Sequence, residues 1–156
     1  MKVGINGMGR IGRLALRAAF GAAERQLDDP RANNRLEVIH VNEIKGGALA
    51  TAHLLEFDSV QGRWKQHIEA ESDSVIRIGQ KKLGFTSHPT PAEIPWGDLG
   101  VDLVLECTGK FLTPETIQGH LSRGAKRVIV AAPVKTGDVL NIVVGVNEHL
   151  YDPARN

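Results

Sequence analysis

Short apolar runs alternate with amphipathic stretches along the first third of the chain, in the order of a strand-helix-strand unit. Residues 2–6 (KVGIN) hold β-branched Val3 and Ile5 with no charge between them and read as a buried parallel strand. Residues 10–25 place Ile11, Leu14, Ala15, Ala18 and Ala22 at helical spacing, a narrow apolar face able to lie close on a sheet. Residues 26–35 (QLDDPRANNR) are polar, and Pro30 forbids a continued helix, so they read as a surface loop. The run 36–42 (LEVIHVN) is the second strand, reached by a crossover expected to be right-handed. Residues 47–56 (GALATAHLLE) read as a second short helix, with His53 a packed or half-exposed helix residue rather than a ligand.

The pattern then shortens. Residues 67–71, 75–78 and 81–85, with a turn at Gly79-Gln80, alternate apolar and polar positions and read as antiparallel edge ribbons. Residues 87–95 hold three prolines and read as loop. The apolar strand pattern resumes at 101–106 (VDLVLE) and ends in a turn at 107–111. Thr113 is placed to cap a helix that has Pro114 at its first position and Glu115 in its first turn, running to about residue 123 with Gly124 as its stop. Residues 126–131 and 141–146 complete an expected set of five parallel strands. The fold class is α/β, a Rossmann-type doubly wound and mostly parallel sheet with a small antiparallel edge ribbon.

The turn between the first strand and first helix carries the chemistry. Gly7-x-Gly9-x-x-Gly12 has the dinucleotide-binding spacing: one glycine for the tight turn, one for close approach of backbone to a pyrophosphate, one for helix packing on the sheet. The helix start adds free N–H groups and a partial positive charge. Glycines at this spacing also occur in turns that bind nothing, and the strand-turn-helix context is what favours a nucleotide. The second strand ends in Asn42-Glu43, where an acid can accept both ribose hydroxyls and repel a 2′-phosphate, favouring NAD over NADP. Glu43 lies 31 residues beyond Gly12, more than the usual ~20, and the polar insert accounts for the excess. A solvated loop carboxylate is the plainer reading of Glu43, and nearby Lys45 keeps NADP open.

Composition narrows the setting. The chain has 156 residues, 42% of them hydrophobic, enough for one domain with its own core. Its net charge of +1 gives no general attraction to nucleic acid or an anionic membrane. A lone cysteine, Cys107, excludes an internal disulfide framework, and no apolar run approaches the ~20 residues of a membrane span. With no secretory pattern at the N-terminus, a reducing cytoplasmic setting is expected.

Several segments together resemble the glyceraldehyde-3-phosphate dehydrogenases: GINGMGRIGR at 4–13, HLLEFDSVQGRW at 53–64, WGDLGVDLVLECTGKF at 96–111, AKRVIVAAPVK at 125–135 and NIVVGVNEHLYDP at 141–153. The resemblance covers nearly the whole chain and implies an NAD-binding domain that begins a two-domain, commonly tetrameric, glycolytic oxidoreductase. It implies that the backbone at Arg10 and Ile11 holds the pyrophosphate, Glu43 the adenosine ribose, that Thr108, Gly109 and Phe111 lie by the adenine side and Ala131 toward the nicotinamide, with Asn6, Gly7, Gly9, Gly12, Asn42 and Cys107 also in the cofactor site. Where the family commonly has Asp, this chain has Glu43; where it often has Ser, this chain has Cys107 and Ala131, which removes possible hydrogen bonds of ~0.5–1.5 kcal/mol each. Other details are similar to a branch encoded beside arsenate-resistance efflux proteins, in which arsenate can replace phosphate as acyl acceptor.

Family catalysis uses a cysteine thiolate and a histidine of the second domain, the cysteine in a Ser-Cys-Thr-Thr-Asn run that follows the segment matching Tyr151-Asp152-Pro153. That run is not in these residues, and Cys107 matches a non-catalytic position. The expectation is an NAD domain over residues 1–156 that cannot turn over alone, with no catalytic or metal-ligating residue of its own. Its partners are NAD, the missing catalytic domain and, through the surface that domain leaves exposed, further copies of itself. Two alternatives stand beside this: a stand-alone nucleotide-binding module, and a dehydrogenase acting on erythrose 4-phosphate.

Overall fold

The computed structural model describes residues 1–25, 36–134 and 139–154, with side chains at 22–25 left aside. The loop expected at 26–35 and the side chain of Ala22 lie outside the described residues. Nine strands and three α-helices are found among the rest, in the order β1 Lys2–Asn6, α1 Arg10–Arg25, β2 Glu37–Asn42, α2 Gly47–Glu56, β3 Phe57–Asp58, β4 Gly62–Arg63, β5 Ile68–Ser72, β6 Val75–Ile78, β7 Lys81–Thr86, β8 Leu103–Glu106, α3 Pro114–Ser122 and β9 Arg127–Val130. Short 3-10 turns occupy Pro91–Glu93 and Glu148–Leu150.

Seven strands form one sheet in the order β5-β6-β7-β2-β1-β8-β9, and β3 and β4 form a separate antiparallel pair. The parallel set has five members, but not the expected five. The fifth is β7, which pairs parallel with β2 on one side and antiparallel with β6 on the other. It is therefore an interior strand, and only β5 and β6 remain as the antiparallel edge ribbon. Residues 141–146 form no strand. Their backbone is irregular, with Val144 87% and Val146 70% exposed. The β-branched run has strand composition, yet it pairs with no strand among the described residues, although β9 closes the sheet with an open edge.

Apolar residues on successive strand positions fill two cores, one on each face. Val3, Ile5, Val41 and Leu103 pack beneath α1 and α2 with Leu16, Phe20, Ala52 and Leu55. On the other face Val104 packs with Ile94, Trp96, Val101 and Ala125. The buried stripe of α1 is Gly12, Leu16, Ala19 and Phe20 rather than the expected one, which left Ile11 54% exposed and Ala18 at the surface. Both stripes have helical spacing; Leu16 and Phe20 bury more apolar surface than the Ala15 and Ala18 of the expected one. Gly4 makes room for the second core, since a Cβ there would lie 2.5 Å from the Trp96 ring. Thr113 caps α3 with a reciprocal bond to Thr116, and Gly124 beyond its end has φ +97°.

Candidate functional site: a cleft at the carboxyl ends of the parallel strands

The register sets Asn6, Asn42 and Glu106 side by side at the last positions of β1, β2 and β8. An open α/β sheet places its ligand site beyond these ends. A cleft of about 190 Å³ lies there, lined by Asn6, Gly7, Gly9, Asn42, Glu43, Cys107, Thr108 and Phe111. These eight were singled out from sequence, and the fold brings them together. Arg10 and Ile11 follow directly as the exposed first residues of α1, with Gly12 buried behind them. Gly109 is exposed at φ +69° beside Thr108, and Ala131 lies just past β9, its N–H donating to the Glu106 carbonyl at 2.9 Å.

Each glycine of the first turn has a different reason to be there. Gly7 has φ +92°, and a Cβ on it would meet the Thr108 backbone nitrogen at 2.8 Å. At Gly12 a Cβ would lie 2.0 Å from the Gly7 carbonyl oxygen, so only a bare α-carbon lets α1 start this close to β1. Gly9 has nothing within 4 Å of the corresponding position and lines the cleft, leaving open space for a ligand to approach its backbone. Arg13 N–H donates to Gly9 carbonyl at 3.1 Å. The N–H groups of Arg10, Ile11 and Gly12 thus precede the helical ladder, where an anion can use them.

Glu43 reaches across this turn. Its carboxylate accepts the Met8 N–H at 2.8 Å and the Lys45 N–H at 3.0 Å. Two backbone donors hold the acid at the mouth of the cleft, and a carboxylate has further lone pairs for hydroxyl groups of a ligand. The extra methylene relative to Asp is absorbed without losing contact with the turn. Below it, Asn42 donates to the Asn6 side-chain oxygen at 2.9 Å and to His88 carbonyl at 3.0 Å, and accepts from Thr86 hydroxyl and His88 N–H, each at 2.8 Å. Asn6 donates in turn to Glu106 at 2.6 Å.

Sequence reasoning missed Ile44, His88, Pro89 and Lys110 as lining residues and gave Lys45 only a minor part. The His88-Pro89 loop follows β7, and once β7 lies beside β2 its exit must border the cleft. Lys45 and Lys110 add positive charge a few residues past two strand ends. Cys107 is half-buried, and its thiol is pushed up to about 11 by burial and then by the neighbouring Glu106 charge, so it stays protonated near neutral pH.

A cleft with an open glycine, unpaired helix-start N–H groups and a ribose-height acid fits a dinucleotide. Comparison with known proteins names which one. The sequence model of the family described as glyceraldehyde 3-phosphate dehydrogenase, NAD binding domain, matches residues 1–114. The chain belongs to that family. Relatives include glyceraldehyde-3-phosphate dehydrogenase 3 of Nostoc sp., 53% identical over all 156 residues and covering 42% of that protein. The Chlamydia pneumoniae enzyme is 41% identical with 43% of its length covered, and enzyme 1 of Streptomyces avermitilis 44% identical, also with 43% covered. The chain thus spans less than half the length of these curated relatives. Glyceraldehyde-3-phosphate dehydrogenases are NAD-dependent oxidoreductases, and NAD is the cofactor of this domain. No helix among the described residues is long and apolar enough to cross a membrane.

Proposed function

We propose that this chain is the NAD-binding domain of a phosphorylating glyceraldehyde-3-phosphate dehydrogenase, with phosphate or arsenate as acyl acceptor in the longer protein. The observation that carries the reading is the Glu43 carboxylate fixed by Met8 and Lys45 N–H groups beside the open Gly9. When bound, NAD supplies the hydride acceptor. The chain's own residues bind and orient it: the N–H groups of Arg10 and Ile11 take the pyrophosphate, Glu43 the ribose hydroxyls, and Thr108, Gly109 and Phe111 the adenine side, leaving Ala131 toward the nicotinamide. Glu43 and a 2′-phosphate repel each other, which selects NAD over NADP.

The thiol of Cys107, the single cysteine, is held protonated, so these residues offer no thiolate to attack an aldehyde. The nucleophile and base belong to a catalytic domain that we assign to the longer protein. Ile129, Val143, Val144 and Val146, all more than half exposed, are assigned as part of the surface that meets it, because the chain accounts for under half of its relatives' length. In the isolated chain the same surface drives self-association, and a monodisperse monomer at high concentration in sedimentation would count against that. Calorimetric titration tests the main reading: NAD binds more tightly than NADP, whereas glyceraldehyde 3-phosphate, NAD and phosphate together yield no NADH. Equal binding of NADP, or turnover, overturns it.

A further inference from the structure

Beneath the cleft, Glu106 is wholly buried and accepts four hydrogen bonds. One carboxylate oxygen, Oε1, takes the Thr108 N–H at 2.8 Å and the Thr108 hydroxyl. The other, Oε2, takes the Asn6 amide at 2.6 Å and His120 Nε2 at 2.9 Å. His120 is itself wholly buried, and its Nδ1 accepts the Trp96 indole N–H at 2.9 Å. An indole nitrogen can only donate, so Nδ1 carries no proton and Nε2 is the protonated nitrogen that donates to Glu106. From the other end, the His88 backbone fixes the Asn42 amide, Asn42 fixes Asn6, and Asn6 can present only its NH₂ to Glu106. Three of the four donors around the carboxylate, the Asn6 amide, His120 Nε2 and the Thr108 N–H, are therefore locked in direction, while the Thr108 hydroxyl can rotate.

We propose that Glu106, oriented by His120 and Trp96, is a positioning residue that sets the spacing of the two loops between which the dinucleotide binds; this rests on the NAD reading above. Asn6 leads into the glycine turn, and Thr108 is packed against Gly7 within the distance that only a glycine allows. Both Thr108 bonds turn its backbone and hydroxyl inward to Glu106, and the hydroxyl also accepts the Lys110 N–H at 3.1 Å. The Thr108 hydroxyl thus shapes the adenine side of the cleft through Glu106, while the residue itself lines the cleft. A glutamine at 106 has one acceptor and one donor end, so whichever way it turns, its NH₂ opposes at least one locked donor: the Thr108 N–H on one side, or Asn6 and His120 on the other.

The test is titration of the full 156-residue chain with NAD and with ADP-ribose, alongside thermal unfolding, for the wild type, Glu106→Gln, Thr108→Val and Thr108→Ser. Glu106→Gln is expected to lose about tenfold or more in affinity for both ligands, as charge-assisted bonds are replaced by opposed donors. Thr108→Val loses roughly three- to tenfold, and Thr108→Ser, which returns the hydroxyl, recovers most of it. Folded Glu106→Gln with wild-type affinity overturns the proposal. Should that variant fail to fold, Thr108→Val decides: unchanged affinity, or a loss that serine does not recover, overturns it. A wild-type chain that binds no NAD refutes the cofactor reading itself and is told apart by its own titration.

Discussion

Gly12 and Gly9 sit three residues apart in the same turn, yet alanine should do opposite things at the two positions. At Gly12 the new Cβ lies 2.0 Å from the Gly7 carbonyl oxygen, a backbone atom that cannot rotate away. Ordinary carbon contacts lie near ~3.5 Å, so the start of α1 has to withdraw from β1 by about 1.5 Å. Overpacking of this kind costs about 1–3 kcal/mol or more, and the better helix propensity of alanine returns at most ~1. A net loss of about 1–2 kcal/mol lowers Tm by about 2–8 °C for a chain of this size. The N–H groups of Arg10 and Ile11 move out with the helix, beyond the ~2.7–3.2 Å of a hydrogen bond, so NAD affinity falls about tenfold or more as well. At Gly9 nothing lies within 4 Å of the added methyl and the residue has no positive φ. Gly9→Ala therefore leaves stability unchanged or raises it by up to about 1 kcal/mol, while the methyl occupies space in the cleft and NAD binding weakens. Differential scanning calorimetry with NAD titration of both variants checks the pair. A Gly12→Ala protein as stable as wild type, or a Gly9→Ala protein that loses stability to the same degree, would refute the reasoning.

Burial, and after it the charge of nearby His88, pushes His40 down to about 4 from 6.5. Between those values the unfolded chain takes up a proton that the folded one refuses, so stability drops as pH falls through this window, by about 1.4 kcal/mol per pH unit and about 3 kcal/mol in all; urea unfolding from pH 7.5 to 4.5 reads the slope, and a flat profile between pH 6.5 and 5 contradicts it. Glu43→Gln keeps the shape but removes the charge that faces ribose, so NAD affinity falls roughly ten- to hundredfold and the preference over NADP narrows; an unchanged NAD/NADP ratio by calorimetry argues against the ribose assignment. With its thiol raised from 9.0 to about 11, Cys107 holds about a hundredfold less thiolate at neutral pH than an ordinary thiol, and rapid alkylation by iodoacetamide in the folded protein would show that burial does not control it.

The upper layer of the site was legible because its signals are local. Gly7, Gly9 and Gly12 are spaced by the geometry of one turn, and Glu43 follows directly from where the β2 pattern stops. Errors arose where the deciding neighbour is distant in sequence. Alternation in residues 81–85 is compatible with an edge or an interior position, and only the parallel pairing of β7 with β2 decides between them. The β-branched run at 141–146 satisfies a strand pattern, but pairing needs a partner edge that no local pattern encodes. On α1, the face of Ile11, Leu14, Ala15 and Ala18 and that of Leu16 and Phe20 both have helical spacing, and only the sheet beneath selects the second.

The polar layer under the cleft shows the same limit most clearly. Glu106 closes an apolar strand, and an acid at the end of such a run is a signal that a buried carboxylate has been arranged for, since an unpartnered one costs far more than a packed apolar residue. What the sequence cannot tell is which donors meet it, because His120 stands 14 residues away, Asn6 stands 100, and Trp96 acts only through the histidine. The glycine turn supplies the shape of a dinucleotide site, and backbone bonds from the Gly7 N–H to the Asn42 carbonyl and from the Cys107 N–H to the Asn6 carbonyl, both 2.8 Å, tie its start to the neighbouring strand ends. Side chains at the ends of three strands add to those ties, and the carboxylate between them has the Asn6 amide, His120 Nε2 and the Thr108 N–H fixed as donors. A cleft built this way is rigid in its floor and open at Gly9, which is where a cofactor can approach backbone without displacing any of the bonds that hold the site.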